Sequence, residues 1–307
     1  HQKFHCTKMN MRNSDKHKGV IALILLALVF ASMGLFARYL ATGFLLFQQV
    51  YLRMFAALLI CLILFRKQID FKKFLKISAK DWLIILLRAV SYSLFGIILF
   101  TQAILVTKYA NVSFISALPM TALLGFLLLG EKFSFKKALY IVLAFIGVFI
   151  ISVQDYSNIF NWSRGEMITL ASTVFFSLSY VARRWQSDFL NNTELTVANF
   201  FVAFLAVFLV SLFKGDGLPL AGWNWGLLFA VIGAGIFNAL NVFLTNYGFQ
   251  KLEAVLAGNI LTLEALFAVF LGFIFFGEAP MPRDVLGGAI ISFSVIAMNR
   301  LESEKSR

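Results

Sequence analysis

Ten apolar runs, each about as long as a membrane-crossing helix and joined by short loops, leave no stretch from which a water-soluble domain could be built. They fall at roughly 19–38, 44–65, 82–104, 109–129, 136–153, 165–183, 195–213, 225–247, 254–276 and 283–299. Composition agrees. The 307 residues are 60% hydrophobic and 14% charged, with a mean hydropathy of +0.85, where a soluble domain carries roughly 25% charged residues. The expected fold is an all-α membrane protein of ten transmembrane helices. The 36 phenylalanines are read as lipid-facing filler rather than an aromatic ligand cage.

Charge orients the chain. With the loops numbered alternately from the N-terminal tail, one side carries 20 Lys and Arg and the other five, namely Arg38, Lys108, Arg164, Lys214 and Arg283. Cytoplasmic loops carry the excess of basic residues, so the tails 1–18 and 300–307 are both expected in the cytoplasm. The same asymmetry accounts for most of the net charge of +12. A nucleic-acid partner is not expected, because the basic residues follow loop parity and form no groove. Trp82, Trp162, Trp185, Trp223 and Trp225 all fall at predicted helix ends, as interfacial residues should.

Several chemistries are excluded. His1, His5 and His17 precede the first apolar run, so no intramembrane histidine can hold a metal or haem or act as a base. Cys6 lies in the polar tail and Cys61 in an apolar run, a poor pair for a structural disulfide. No phosphate-binding P-loop is present, so nucleotide hydrolysis does not drive the protein. No cofactor and no metal are expected. The sequence opens on His1; Met9 and Met11 are candidate natural starts, and the first run, without a small-residue cleavage site, reads as a retained helix.

The chain is written twice. Residues 125–131 read GFLLLGE and residues 272–278 read GFIFFGE, each closing an apolar run, with Glu131 and Glu278 separated by 147 positions. Lys18-Gly19 opens the first run and Arg164-Gly165 the sixth, an offset of 146 that also aligns Arg38 with Arg184. Two units, 19–153 and 164–299, therefore each hold five helices. Five is odd, so the second unit enters the membrane the other way round, the inverted repeat that lets two halves exchange conformations about a midplane site.

Ten helices in two inverted five-helix repeats, each with its fourth helix ending in Gly-Glu, resemble the EamA-type transporters of the drug/metabolite transporter superfamily. The residues that carry the likeness are ALPMTALLGFLLLGEKFSF (117–135) and LEALFAVFLGFIFFGE (263–278), and it extends over 19–299. Where that family often has a proline after the glutamate of the second motif, Ala265 stands here. The resemblance implies a permease of the bacterial cytoplasmic (inner) membrane that moves a small-molecule metabolite through a central cavity. A proton or a counter-substrate would be its coupling partner. A homodimer is compatible with this architecture, and nothing in the sequence calls for one.

Polar residues inside the runs are the candidate site. Glu131 and Glu278 lie at helix ends and read as structural, each favouring the N-terminus of the next helix. Ser163-x-x-Glu166 reads as a capping box before the sixth run. Glu264 lies about ten residues from either end of the ninth run, roughly 15 Å deep. An ionised carboxylate facing lipid there would cost on the order of 2.5–3.5 kcal/mol or more, so it must face protein or a watery cavity. Arg53 and Arg88, within the second and third runs, are the candidate cations. Two readings stay open: Glu264 as a proton-coupling or substrate-binding group, or as half of a buried ion pair that fixes packing.

Polar stripes at helical spacing add candidate cavity residues: Arg88, Ser91, Phe95 and Gln102 on the third run, Asn238, Asn241 and Thr245 on the eighth, Ser113, Ser116 and Met120 on the fourth, Ser177 and Tyr180 on the sixth. For a single Ser or Thr, ordinary interhelical hydrogen bonding is the competing reading. Pro119, Gly233 and Gly235 are expected to let their helices bend. A membrane-embedded enzyme would need a nucleophile with a base or paired carboxylates, which the deep residues do not supply. A structural or signalling membrane protein would have no use for a deep carboxylate.

Overall fold

The computed structural model describes residues 13–107, 112, 115–131, 134–152, 164–276 and 279–304. Among these residues all regular structure is helical. The long helices are α1 (Asn13–Leu40), α2 (Leu46–Leu64), α3 (Ala79–Val106), α4 (Met120–Leu129), α5 (Phe135–Ser152), α6 (Arg164–Ala182), α7 (Asn192–Phe213), α8 (Trp225–Lys251), α9 in two pieces, α9a (Ala254–Leu261) and α9b (Leu263–Phe276), and α10 (Pro282–Glu304), with single turns at Phe71–Phe74 and Arg183–Trp185. Eight stretches among the described residues, in α1, α2, α3, α6, α7, α8, α9 and α10, are long and apolar enough to cross a membrane. The helix α4 is shorter, and most of the first half of its predicted run, with Ser113, lies outside the described residues.

Local chemistry sets the ends and the breaks. Asn191 and Glu194 form a reciprocal capping box at the start of α7, Asn224 accepts from the Leu227 N–H at the start of α8, and Ser78 accepts from the Asp81 N–H at the start of α3. In α9 the break at Thr262 needs no proline. The Thr262 hydroxyl donates to the Asn259 carbonyl at 2.7 Å, and the backbone bonds Thr262 to Asn259 and Ala265 to Thr262 span three residues rather than four. The helix α4 begins only after Pro119, which lacks the N–H that would continue a helix through it. The helix α8 is continuous through Gly233 and Gly235, where bending during access switching is expected. A Cβ at Gly235 would lie 2.7 Å from the Ala56 Cβ, so that glycine serves close helix approach.

Packing pairs the two halves. Helix α1 lies on α8 and α3 on α6; α2 lies on α8 and α3 on α7; α1 lies on α9 and α4 on α6. Each contact turns into its partner when every helix number moves by five. The remaining large contacts join α2 to α7, α4 to α9, α5 to α10 and, without a counterpart of like size between α4 and α5 among the described residues, α9 to α10. The pairs α2 with α7, α4 with α9 and α5 with α10 run antiparallel: Gln48 at the start of α2 donates to the Asp216 carbonyl beyond the end of α7, Gly125 late in α4 meets Ala254 at the start of α9, and Gly147 late in α5 meets Gly287 early in α10.

The tightest approach is between α5 and α10. A Cβ on Gly147 would sit 2.7 Å from both the Gly287 carbonyl oxygen and the Ile291 side chain. Backbone on the far side cannot turn away as a flexible side chain can. Gly147→Ala is therefore expected to destabilise the purified protein by about 1–3 kcal/mol, read as a lower melting temperature; an unchanged temperature would mean that α5 and α10 are not held this close.

Candidate functional site

The polar interior is built by α2, α3, α6, α7 and α8. Helix α3 contributes most because it is not α-helical throughout: Ser91–Ile97 form a π-helical turn. The extra residue widens the helix and rotates everything beyond it. Ser91 stays buried, Tyr92 turns inward, and Phe95, expected on the polar stripe, points outward and stacks on Phe175. Gln102 is half-buried and lines neither of the pockets described below.

Arg88 is the most heavily bonded of these residues. Its Nε donates to the Ser179 carbonyl (3.2 Å), and its terminal nitrogens donate to Gln186 Oε1 (2.8 Å) and to Asn246 Oδ1. The Ser179 hydroxyl returns a bond to the Arg88 carbonyl (3.0 Å), and the Asn246 amide donates on to Thr196 (3.0 Å). One guanidinium thus ties α3 to α6 and α8 through neutral acceptors.

Arg53 is less satisfied. It is 3% exposed, its Nε donates to the Gln49 carbonyl one turn back, and one terminal nitrogen donates to Thr101 Oγ1, both at 3.2 Å. Neither arginine forms an ion pair with any described residue. Among the described residues the ion pair of Glu264 with Arg53 or Arg88 is not formed. Glu264 is half-buried at the start of α9b, has no hydrogen bond or cation partner among the described residues, and lies near enough to Tyr180 for the two to interact electrostatically.

Two narrow pockets meet at Tyr92. One, about 320 Å³ counting all space between its atoms, is lined by Arg88, Tyr92, Ser179, Asn199 and Thr245 among others. The other, about 310 Å³ by the same measure, is lined by Arg53, Tyr92, Thr101, Asn238 and the rings of Phe30, Phe100 and Phe176. Each has room for water more than for a metabolite in this state. The Tyr92 hydroxyl donates to Asn241 Oδ1 at 2.8 Å, while the Asn241 amide nitrogen and the Thr245 hydroxyl are buried without partners among the described residues. Unpaired buried donors of this kind need a water or a ligand.

The structure thus brings together Arg53, Arg88, Asn238, Asn241 and Thr245, and adds Tyr92, Thr101, Asn199 and Asn246, which the sequence reading passed over. Ser177 accepts from Thr121 (3.0 Å), an ordinary contact between α6 and α4. Tyr180 stacks between Phe176 and Phe249. The Ser116 hydroxyl is buried, has no partner among the described residues and lines neither pocket.

Glu131 does act at a helix end, but not at that of the next helix, α5. Its two oxygens accept the Ala254 and Val255 N–H groups (2.7 and 3.0 Å) at the start of α9, in the other half of the chain. Burial pushes its carboxyl above the usual range, and the two amide bonds pull it back. Glu131→Ala is expected to cost about 1–2 kcal/mol, the scale of a lost N-terminal cap, seen as a lower melting temperature that Glu131→Gln, which keeps an acceptor, partly restores. Equal losses for both would argue against capping. Glu278 lies outside the described residues, as does Ser163 of the expected capping box; one Glu166 oxygen accepts from the Thr107 hydroxyl at 2.7 Å.

Comparison with known proteins bears on this site. The EamA-like transporter family model matches twice, over residues 17–153 and 163–300. An uncharacterized transporter of Methanothermobacter thermautotrophicus is 26% identical over 224 residues, 69% of this chain and 62% of its own length. Another, of Archaeoglobus fulgidus, is 25% identical over 190 residues, 61% of this chain and 66% of its own length. The match thus spans a little under two thirds of each relative. One solved crystal structure superposes with a TM-score of 0.73 over 92% of this chain and 98% of its own, at 14% identity, a likeness of fold alone.

Proposed function

The chain belongs to the EamA-like transporter family, with two EamA domains, and from that premise we propose that it is a secondary transporter of a small polar or amphipathic metabolite. In this reading ten helices cross the bacterial cytoplasmic membrane as two inverted five-helix repeats, 19–153 and 164–299, with both termini in the cytoplasm. The reciprocal contacts between halves and the antiparallel pairing of α2 with α7 and of α4 with α9 support the inversion. Alternating access would open the Tyr92 pockets first to one side and then to the other.

The observation that carries the proposal is Glu264, a deep carboxyl with no counter-charge among the described residues. Intramembrane ionisable groups mark substrate or proton pathways, and a purely structural carboxyl would have been paired. We assign Glu264 the coupling role, by proton or by counter-substrate, and no enzymatic chemistry. The test is reconstitution of the purified chain in liposomes, with flux measured for metabolites that raise its melting temperature, since a ligand of the folded state must do so. At least one such metabolite should cross faster than in empty liposomes. A folded protein that moves none of its stabilising ligands would sink the reading.

A further inference from the structure

The pocket beside Arg53 has the chemistry of an anion site. Arg53 is the eighth residue of α2, roughly 10 Å along the helix at 1.5 Å per residue. At 3% exposure it cannot extend its guanidinium to a lipid headgroup or to bulk water. Of its five N–H donors, two meet acceptors among the described residues, and both acceptors are neutral. Hydrogen bonds to a carbonyl and a hydroxyl satisfy donors but leave the positive charge unbalanced, and a lone charge at this depth is costly. The contrast with Arg88 is informative, because Arg88 spends three donors on three separate elements and acts as a tie.

We propose that Arg53 binds the carboxylate of a monoanionic substrate whose apolar body packs against Phe30, Phe100 and Phe176. The planar fork of a guanidinium fits two carboxylate oxygens. The Thr101 hydroxyl, which accepts from Arg53, keeps its own proton to donate to the same carboxylate. One guanidinium balances one charge, and the other polar residues of the lining, Tyr92, Thr101 and Asn238, are neutral, so the second charge of a phosphate would find no counter-charge in this pocket. Phe30 and Phe176 meet edge to face at 5.4 Å, an arrangement that exchanges readily for ring-on-ligand contact when the pocket opens. The inference rests on the transporter reading only for the ligand being cargo; binding itself does not depend on it.

The test compares matched acids and amides on the purified full chain: isovalerate with isovaleramide, and 3-phenylpropionate with 3-phenylpropionamide. Both acids should raise the melting temperature in a saturable way and both amides should not, with 3-phenylpropionate the stronger acid ligand. Arg53→Gln should weaken the apparent affinity for the acids about tenfold or more, or about 1.4 kcal/mol, while Arg53→Lys keeps part of it. Should Arg53→Gln not fold, Thr101→Val supplies the second variant, expected to weaken the acids and leave the amides unchanged. Amides as effective as acids, acids unaffected by both variants, or no response to any of the four compounds would each overturn the anion site. A cationic or neutral metabolite that stabilises and crosses liposomes would also overturn it, while leaving the transporter reading intact.

Discussion

Glu264→Gln is expected to abolish coupled transport while leaving the purified protein at least as stable as the native chain. The argument turns on the missing partner. Had Glu264 been paired with Arg53 or Arg88, removing its charge would strand a buried cation and cost about 3–5 kcal/mol. Neither arginine reaches it, and no described residue donates to it. Glutamine has the same shape and needs no counter-charge, so nothing is lost by the exchange and the desolvation cost of an ionised carboxylate is removed. Function should respond in the opposite sense. If the carboxyl passes a proton, its loss should slow flux by about 10²-fold or more, whereas an Arg53-dependent ligand should still bind. Melting curves and liposome flux on one preparation decide the matter. A fall in stability of several kcal/mol would reveal a hidden ion pair, and unchanged flux would remove Glu264 from the mechanism.

Why the sequence revealed Glu264 but not Tyr92 is a matter of period. The apolar runs are long and nearly uncharged, so eight membrane-length helices among the described residues could be read directly, and the repeat of GFLLLGE with GFIFFGE pointed to two units, as the two family matches do. Single polar residues were legible where their helix is regular. Asn238, Asn241 and Thr245 on unbroken α8 are all buried. On α3 the stripe was extrapolated at 3.6 residues per turn through Ser91–Ile97, where the helix is π. It therefore took the outward Phe95 for a cavity residue and missed Tyr92. No local signal separates SYSLFGI from an α-helical stretch; the turn exists because α3 must fit α6, where Ser172 donates to the Gly96 carbonyl at 2.9 Å. Glu131 is structural at a helix end, as read, but its helix was misplaced for a related reason. Sequence spacing points to the helix that follows in the chain, and only the packing of the halves shows that the carboxylate reaches α9.

The largest structural effect should come from Arg88→Met. The change conserves apolar volume, and replacing a buried ion pair by apolar residues is often neutral. Here, however, the partners are neutral and would stay behind. The Ser179 carbonyl lies within α6 and loses least. Gln186 already has an unpaired amide nitrogen and can turn. Asn246 is held by its own bond to Thr196, fully buried, so its carbonyl oxygen would be orphaned. Interhelical bonds in membrane proteins average about 0.6 kcal/mol each, whereas a stranded buried acceptor costs about 1–3 kcal/mol. Together these predict a loss of roughly 3 kcal/mol, most of it from Asn246. A double-mutant cycle isolates that share: Arg88→Met with Asn246→Leu should be less destabilised than the sum of the two single variants by at least ~1 kcal/mol. Arg88→Lys should fail to rescue, because an ammonium on a single stem cannot reach acceptors on three elements at once. Strict additivity in the cycle, or full rescue by lysine, would mean that Arg88 is not the tie between α3, α6 and α8 and that its guanidinium is free to meet a ligand.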